Sequence, residues 1–274
     1  MSTNENKGKK AEVTALQAIS AEDRKDWISL AFVQAGICVC VPAFLLGALL
    51  AEAMPIWPAI ISGSLGYLIV VVGMVATGMI GCDLGLASCT CCQAGFGKSG
   101  ARFIVSTIFA VNMIGWFGIQ NGVCGEAFSN AMLAMTGWDI PVVVSNTIWG
   151  IIMLLTAVYG VHALEKLDKI SIPLLMIIMC YGIFLAFKVY GTGNLNDEGT
   201  VQSMSFMSGV ALSFNFTAVG TITGPDYTRF QKSRKDTVKS VFYGVFPMGV
   251  ITLIMGIVLT KLSGQYDILS LIHI

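Results

Sequence analysis

Asn112, Trp116 and Gln120 recur at i, i+4 and i+8 in an otherwise apolar run, which places an aromatic ring between two amides along one helix face. Amides at membrane depth are costly unless they are paired or face a cavity. A flat heterocycle would suit such a strip, its ring stacking on Trp116 while Gln120 or Asn112 offers donor and acceptor together. The other reading leaves Trp116 packed in the bundle and the amides bonded to neighbouring helices.

Two further segments are interrupted by small residues and proline. One runs from Ala35 and Gly36 to Val41 and Pro42; the other runs from Asn215 through Gly220 to Gly224 and Pro225. A membrane helix tolerates a break only where protein or a water-filled cavity surrounds the freed backbone. Paired breaks in an otherwise hydrophobic chain point to a transporter of inverted repeats, with substrate and ion held near the midplane. Phe216 at the second break is the candidate second face of an aromatic sandwich. Asn215 and Thr217 beside it offer hydrogen bonds, and Gly220 lets the backbone approach a ligand closely. Gln34 and Cys40 flank the first break and border the same space, with simple packing the competing role for the thiol. Asp226 and Arg229, just past the second break, could latch a gate as a charge pair or stand in a solvated polar loop. Glu126 lies ten residues beyond Trp116, about 15 Å of helix rise, and reads as interfacial.

The elements that must carry these residues follow from composition. Hydrophobic residues make up 55% of 274 positions and charged residues 12%, a balance that excludes an ordinary soluble domain. About 20 helical residues cross a bilayer core, and seven apolar runs reach or approach that length: 27–50, 56–80, 102–124, 140–159, 172–190, 205–223 and 237–262. An all-α polytopic membrane protein is therefore expected. With the N-terminus inside, every lysine and arginine except Lys188 and Lys261 falls on the cytoplasmic side, as the positive-inside rule requires. The polar residues 1–26 read as a disordered cytoplasmic tail ahead of a transmembrane domain over 27–268. Residues 269–274 read as a non-native end.

Eight cysteines include Cys82, Cys89, Cys91 and Cys92 in one connection. Placement on the reducing side disfavours disulfides, and Cys89, Cys91 and Cys92 are too close together to supply three zinc ligands comfortably. No phosphate-binding loop, zinc-hydrolase helix or nucleophile elbow occurs, so no enzyme is expected and no cofactor is implied.

Several motifs in order along the chain resemble the nucleobase:cation symporter-1 family. The stretch from Gly220 to Phe230, with Gly224, Pro225, Asp226 and Arg229, is similar to the end of that family's sixth span. Gly81 to Ala101 resembles its second connection, and Asn112 to Gln120 its third helix; Phe216 to Thr223 with Trp116 to Gly118 is most similar to the cytosine permease branch. The resemblance implies a LeuT-like fold of five-plus-five inverted repeats with helices 1 and 6 broken, and cation-driven uptake of a neutral base. It also implies a cation site at the carbonyls of Gly36 and Val39, with sodium preferred over a proton, and a cell-membrane location. Seven spans would make one repeat and two helices of the next, so the architecture is expected to be cut short. An amino-acid transporter of the same fold and a non-transporting membrane sensor are the rival readings.

Overall fold

In the computed structural model, residues 16–158, 161–192, 195 and 204–264 are described, with side chains of 161–165 excluded. Residues 1–15, most of the loop 191–200 and the end 269–274 lie outside the described residues. The helices are α1 (Trp27–Cys38), α2 (Val41–Ala53), α3 (Ile56–Leu84), the short α4 (Ser88–Cys91) and α5 (Gln93–Gly100), α6 (Ser106–Thr136), α7 (Val142–Val158), α8 (Val161–Tyr190), α9 (Phe206–Thr217), α10 (Val219–Thr228) and α11 (Arg234–Ser263). Among the described residues, five continuous segments are long and apolar enough to cross a membrane, α9 with α10 counting as one. The bent pair α1–α2 makes a sixth, and α7 is a shorter apolar helix.

Local sequence sets these bounds. Pro42 occupies the first turn of α2, where its missing N–H removes no helical bond. Gly85 ends α3 in the left-handed conformation at φ 66°, which glycine adopts without a Cβ penalty. Ser233 starts α11 by accepting from Asp236 N at 3.2 Å.

At the centre α3 and α11 pack together, with α1 and α2 against α11 and α9 and α10 against α3; α6 and α7 pair beside them. Tyr67, Leu46, Leu50, Met74, Leu253 and Ile257 are fully buried there. Hydroxyl groups tie α3 to the α9–α10 segment in parallel register: Ser213 donates to Gly63 O and Thr228 to Gly78 O, both at 2.7 Å. Such bonds satisfy a polar side chain without exposing it to lipid.

The two expected breaks differ. Between α1 and α2 the axis turns by 53°. Val39 and Cys40 leave the helical region, and Pro42 cannot continue the α1 ladder. Between α9 and α10 only Ala218 interrupts the assignment, and it keeps helical dihedrals of φ −55° and ψ −31°. The expected unwinding from Asn215 to Pro225 is thus absent in this conformation. Pro225 removes the N–H that would reach Thr221 O, and Thr77 Oγ1 donates to that carbonyl instead, at 2.6 Å. A neighbouring hydroxyl therefore holds the helix together where proline would open it.

Within the expected tail, the residues from Ile19 on pack against the bundle. Ile19 N donates to Gly85 O at 2.9 Å and Lys25 N to Phe230 O at 2.6 Å. Arg24 Nη1 reaches Cys82 O at 2.9 Å and Gln231 O at 3.0 Å. Ile19 packs with Leu30 and Phe230. The segment straps the ends of α3 and α10 at the lysine- and arginine-rich end of the bundle.

Candidate functional site

A cavity of about 270 Å³ opens at the bend between α1 and α2. Gly36 and Cys40 line it from the bend, Tyr67 and Met74 from α3, Trp116, Phe117 and Gln120 from α6, and Phe216, Thr217 and Gly220 from α9 and α10. Its size sits at the lower end of small-molecule sites, and its lining is mostly apolar with a few polar groups. One ring of a heterocycle matches that volume better than an extended ligand.

Trp116 and Phe216 meet in the cavity with ring centroids 5.3 Å apart and planes at 89°. They touch edge to face, and a base stacked between them would need two gaps of roughly a van der Waals contact each. The expected sandwich is therefore closed on itself in this conformation, and Phe216 must turn before a base can occupy both faces. Gln120 from α6 and Cys40 from the bend both line the cavity, and the thiol donates to Ile37 O at 3.3 Å. Thr217 donates to Ser213 O at 2.9 Å, which leaves its oxygen free to accept.

Helix geometry separates the candidates that reach the cavity from those that do not. Each helical residue turns the chain by about 100°, so positions i, i+4 and i+8 drift by about 80° in all. Trp116 and Gln120 face in, while Asn112 is exposed and does not line the cavity. The same rotation puts Phe216, Thr217 and Gly220 inside and leaves Asn215 exposed, because the segment is helical rather than unwound. Gln34 is fully buried but faces α11, with Nε2 donating to Ser240 Oγ at 3.4 Å. Of the two candidate cation ligands, Gly36 borders the cavity, and Val39 is buried beside Ala35 and Ile172.

Asp226 and Arg229 do not pair with each other. Asp226 Oδ1 accepts from Ser88 N at 3.0 Å, and the Arg229 guanidinium lies 4.8 Å from the Phe230 ring, buried with Nε and Nη1 unpartnered. An ion pair at this end joins Asp83 to Arg234, with Arg234 Nε 2.9 Å from Oδ1 and 3.0 Å from Oδ2. It clasps α3 to α11 through exposed side chains, an arrangement worth little in stability on its own.

Tyr67 was not singled out by sequence. Its side chain is fully buried, its hydroxyl has no protein partner, and it lines the cavity with its ring against Gly249. A lone tyrosine amid small and apolar residues gives no periodic signal, whereas the packed ring and orphaned hydroxyl mark it as a hydrogen-bonding group for a ligand.

The cysteines of the connection are free thiols. Burial pushes Cys89 and Cys91 above the ordinary thiol range, with the Asp226 carboxylate adding to both shifts. A raised value lowers the thiolate fraction at neutral pH. We expect maleimide labelling of these two, followed by peptide mass spectrometry, to be slow at pH 7 and to rise roughly tenfold per pH unit to pH 9. Fast, pH-independent labelling would contradict this environment.

Comparison with known proteins places this geometry in a family. The sequence profile for the permeases for cytosine/purines, uracil, thiamine and allantoin matches residues 19–272. The chain is similar to the cytosine permease of Escherichia coli strain K12, 26% identical over 249 residues, covering 89% of this chain and 57% of that protein. It is also similar to a purine-uracil permease of Arabidopsis thaliana, 25% identical over 247 residues, covering 80% of this chain and 41% of that protein. The chain thus spans little more than half of the first of these and less of the second. Among solved structures it matches Mhp1, a nucleobase-cation-symport-1 family transporter in a closed conformation with bromovinylhydantoin bound. That match has a TM-score of 0.85 at 18% identity, over 96% of this chain and 61% of that one. The fold is therefore that of Mhp1, and the chain belongs to the family of permeases for cytosine/purines, uracil, thiamine and allantoin.

Proposed function

We propose that the complete transporter containing this chain imports a nucleobase, cytosine or a related pyrimidine or purine, by alternating access driven by a cation gradient. The observation that carries this reading is the cavity at the α1–α2 bend, where Trp116 and Phe216 offer aromatic faces and Gln120, Thr217 and Tyr67 offer polar atoms. Aromatic faces take any flat base, while an amide matches an edge on which donor and acceptor alternate. The hydantoin in Mhp1 and the cytosine in the name of the bacterial relative are both small neutral heterocycles, which supports the same ligand class here. Sodium, or a proton in its place, binds at the bend near Gly36 and Val39. The protein sits in the cell membrane with its N-terminus cytoplasmic.

The test is uptake of labelled cytosine by cells lacking their own base permeases and expressing the complete transporter, with unlabelled competitors. Cation-dependent uptake blocked by bases is expected, and blockade by amino acids instead of bases would overturn the substrate class. Within that assay Gln120→Leu, which keeps size but removes both polar atoms, is expected to raise KM about tenfold or more. An unchanged KM would remove Gln120 from the site.

A further inference from the structure

The α1 bend faces a carboxylate. Asp168 lies in α8, which packs on α1 and α11 and touches α7. A Cβ built on Gly36 would stand 2.8 Å from Asp168 Oδ1, 2.9 Å from Cγ and 3.0 Å from Oδ2. Only a glycine lets the carboxylate come this close to the α1 backbone. The carboxylate is half-buried and makes no hydrogen bond or ion pair among the described residues.

That position is unfavourable for a bare negative charge. Val39 N donates to Ala35 O at 2.9 Å, and α1 then ends, so the carbonyls from Gly36 to Val39 lie past the helical ladder, that of Ile37 accepting from the Cys40 thiol at 3.3 Å. They form the negative pole of the helix, where an anion is repelled and a cation is favoured. A half-buried carboxylate against such a helix end is stabilised by a bound cation.

Among the described residues, the elements packed on α8 offer no other partner. In α7 there is no titratable residue, and in α1 only Cys38. On α11, Lys239 and Tyr243 turn to the Trp27 ring, Arg234 to Asp83, and Asp236 to Ser233; Lys235 is exposed, and Lys261 is buried near the far end of α11. From α10, Tyr227 lines the same cavity as Gly36, Asp226 is bonded to Ser88 N, and Arg229 turns to the Phe230 ring. Gly36 and Tyr227 both line the base cavity, so the carboxylate stands beside the space a substrate would fill.

We propose that Asp168 is a binding residue for the coupling cation, a sodium ion held between its carboxylate and the freed carbonyls at the end of α1. This rests on the transporter reading above. With the cation bound, α8 stays docked on Gly36; once the cation leaves, the carboxylate and the carbonyl pole repel, and α8 separates from α1. A base occupying the cavity beside Gly36 is thereby coupled to the ion.

The test measures cytosine affinity of the purified complete transporter over a sodium series at fixed pH and constant ionic strength. In the wild type, affinity is expected to rise about tenfold or more along the series. In Asp168→Asn the rise is expected to fall below twofold, and Asp168→Glu to keep part of it. An undiminished cation dependence in Asp168→Asn would overturn the proposal. A second measurement needs neither the variants nor a substrate. Modification of wild-type Asp168 by a hydrophobic carbodiimide at fixed pH, read by peptide mass spectrometry, is expected to fall several-fold with saturating sodium. Modification indifferent to sodium would overturn the assignment even if cytosine proved not to be the ligand, whereas failure of cytosine to bind with Asp168 still sodium-protected would count against the substrate alone.

Discussion

Trp116→Ala is expected to abolish measurable cytosine uptake while leaving the amount of transporter in the membrane within about twofold. The indole is half-buried at the wall of the cavity and touches Phe216 at 5.3 Å between centroids. Stacking of a base on an aromatic ring contributes about 1–3 kcal/mol by alanine substitution, or roughly 5- to 150-fold in affinity. Losing the indole also removes the ring against which Phe216 rests, so the second face is misplaced together with the first. Trp116→Phe keeps a stacking face and is expected to retain part of the activity. Uptake by Trp116→Ala within a few-fold of the wild type would remove stacking from the account.

Gly256→Val is expected to destroy the fold rather than the chemistry. A Cβ at Gly256 would collide with the Phe44 carbonyl oxygen, and a Cβ at Gly47 with the Leu253 carbonyl oxygen, because α2 and α11 touch backbone to backbone there. Close approach through small residues is how membrane helices gain packing contacts without a hydrophobic driving force. Pushing the two helices apart would loosen Leu46, Leu50, Leu253 and Ile257, all fully buried. Overpacking of this kind, with backbone as the obstacle, costs upwards of about 3 kcal/mol. Fluorescence-detected size-exclusion of the tagged transporter is expected to show loss of the monodisperse peak, with Gly256→Ala intermediate. A sharp wild-type peak for Gly256→Val would show that the helices can part without loss.

The sequence made the bundle legible because its signals are local. Apolar runs, the Gly36 and Pro42 pair and the strip of Trp116 and Gln120 depend on residues within two or three turns of one another. What it could not show depends on contacts across the fold. The α9–α10 segment stays helical because Thr77, 144 residues earlier, serves the carbonyl that Pro225 leaves unbonded. Asn112 and Asn215 share the right neighbourhood in sequence, yet the pitch of the helix turns both away from the cavity. Gln34 faces α11 and not the cavity, and Asp168 meets Gly36 only because α8 returns to α1. Arg24 has no motif around it, and its bonds to Cys82 O and Gln231 O appear only when the ends of α3 and α10 are side by side.

The most direct test of the base cavity is a structure of the complete transporter soaked with 5-bromocytosine and measured at the bromine absorption edge. An anomalous peak in the cavity bounded by Trp116, Gln120 and Phe216, with the Phe216 ring turned away from its edge-to-face contact, is the predicted result. A peak outside that cavity, or none there when binding is saturated in the same preparation, would contradict it.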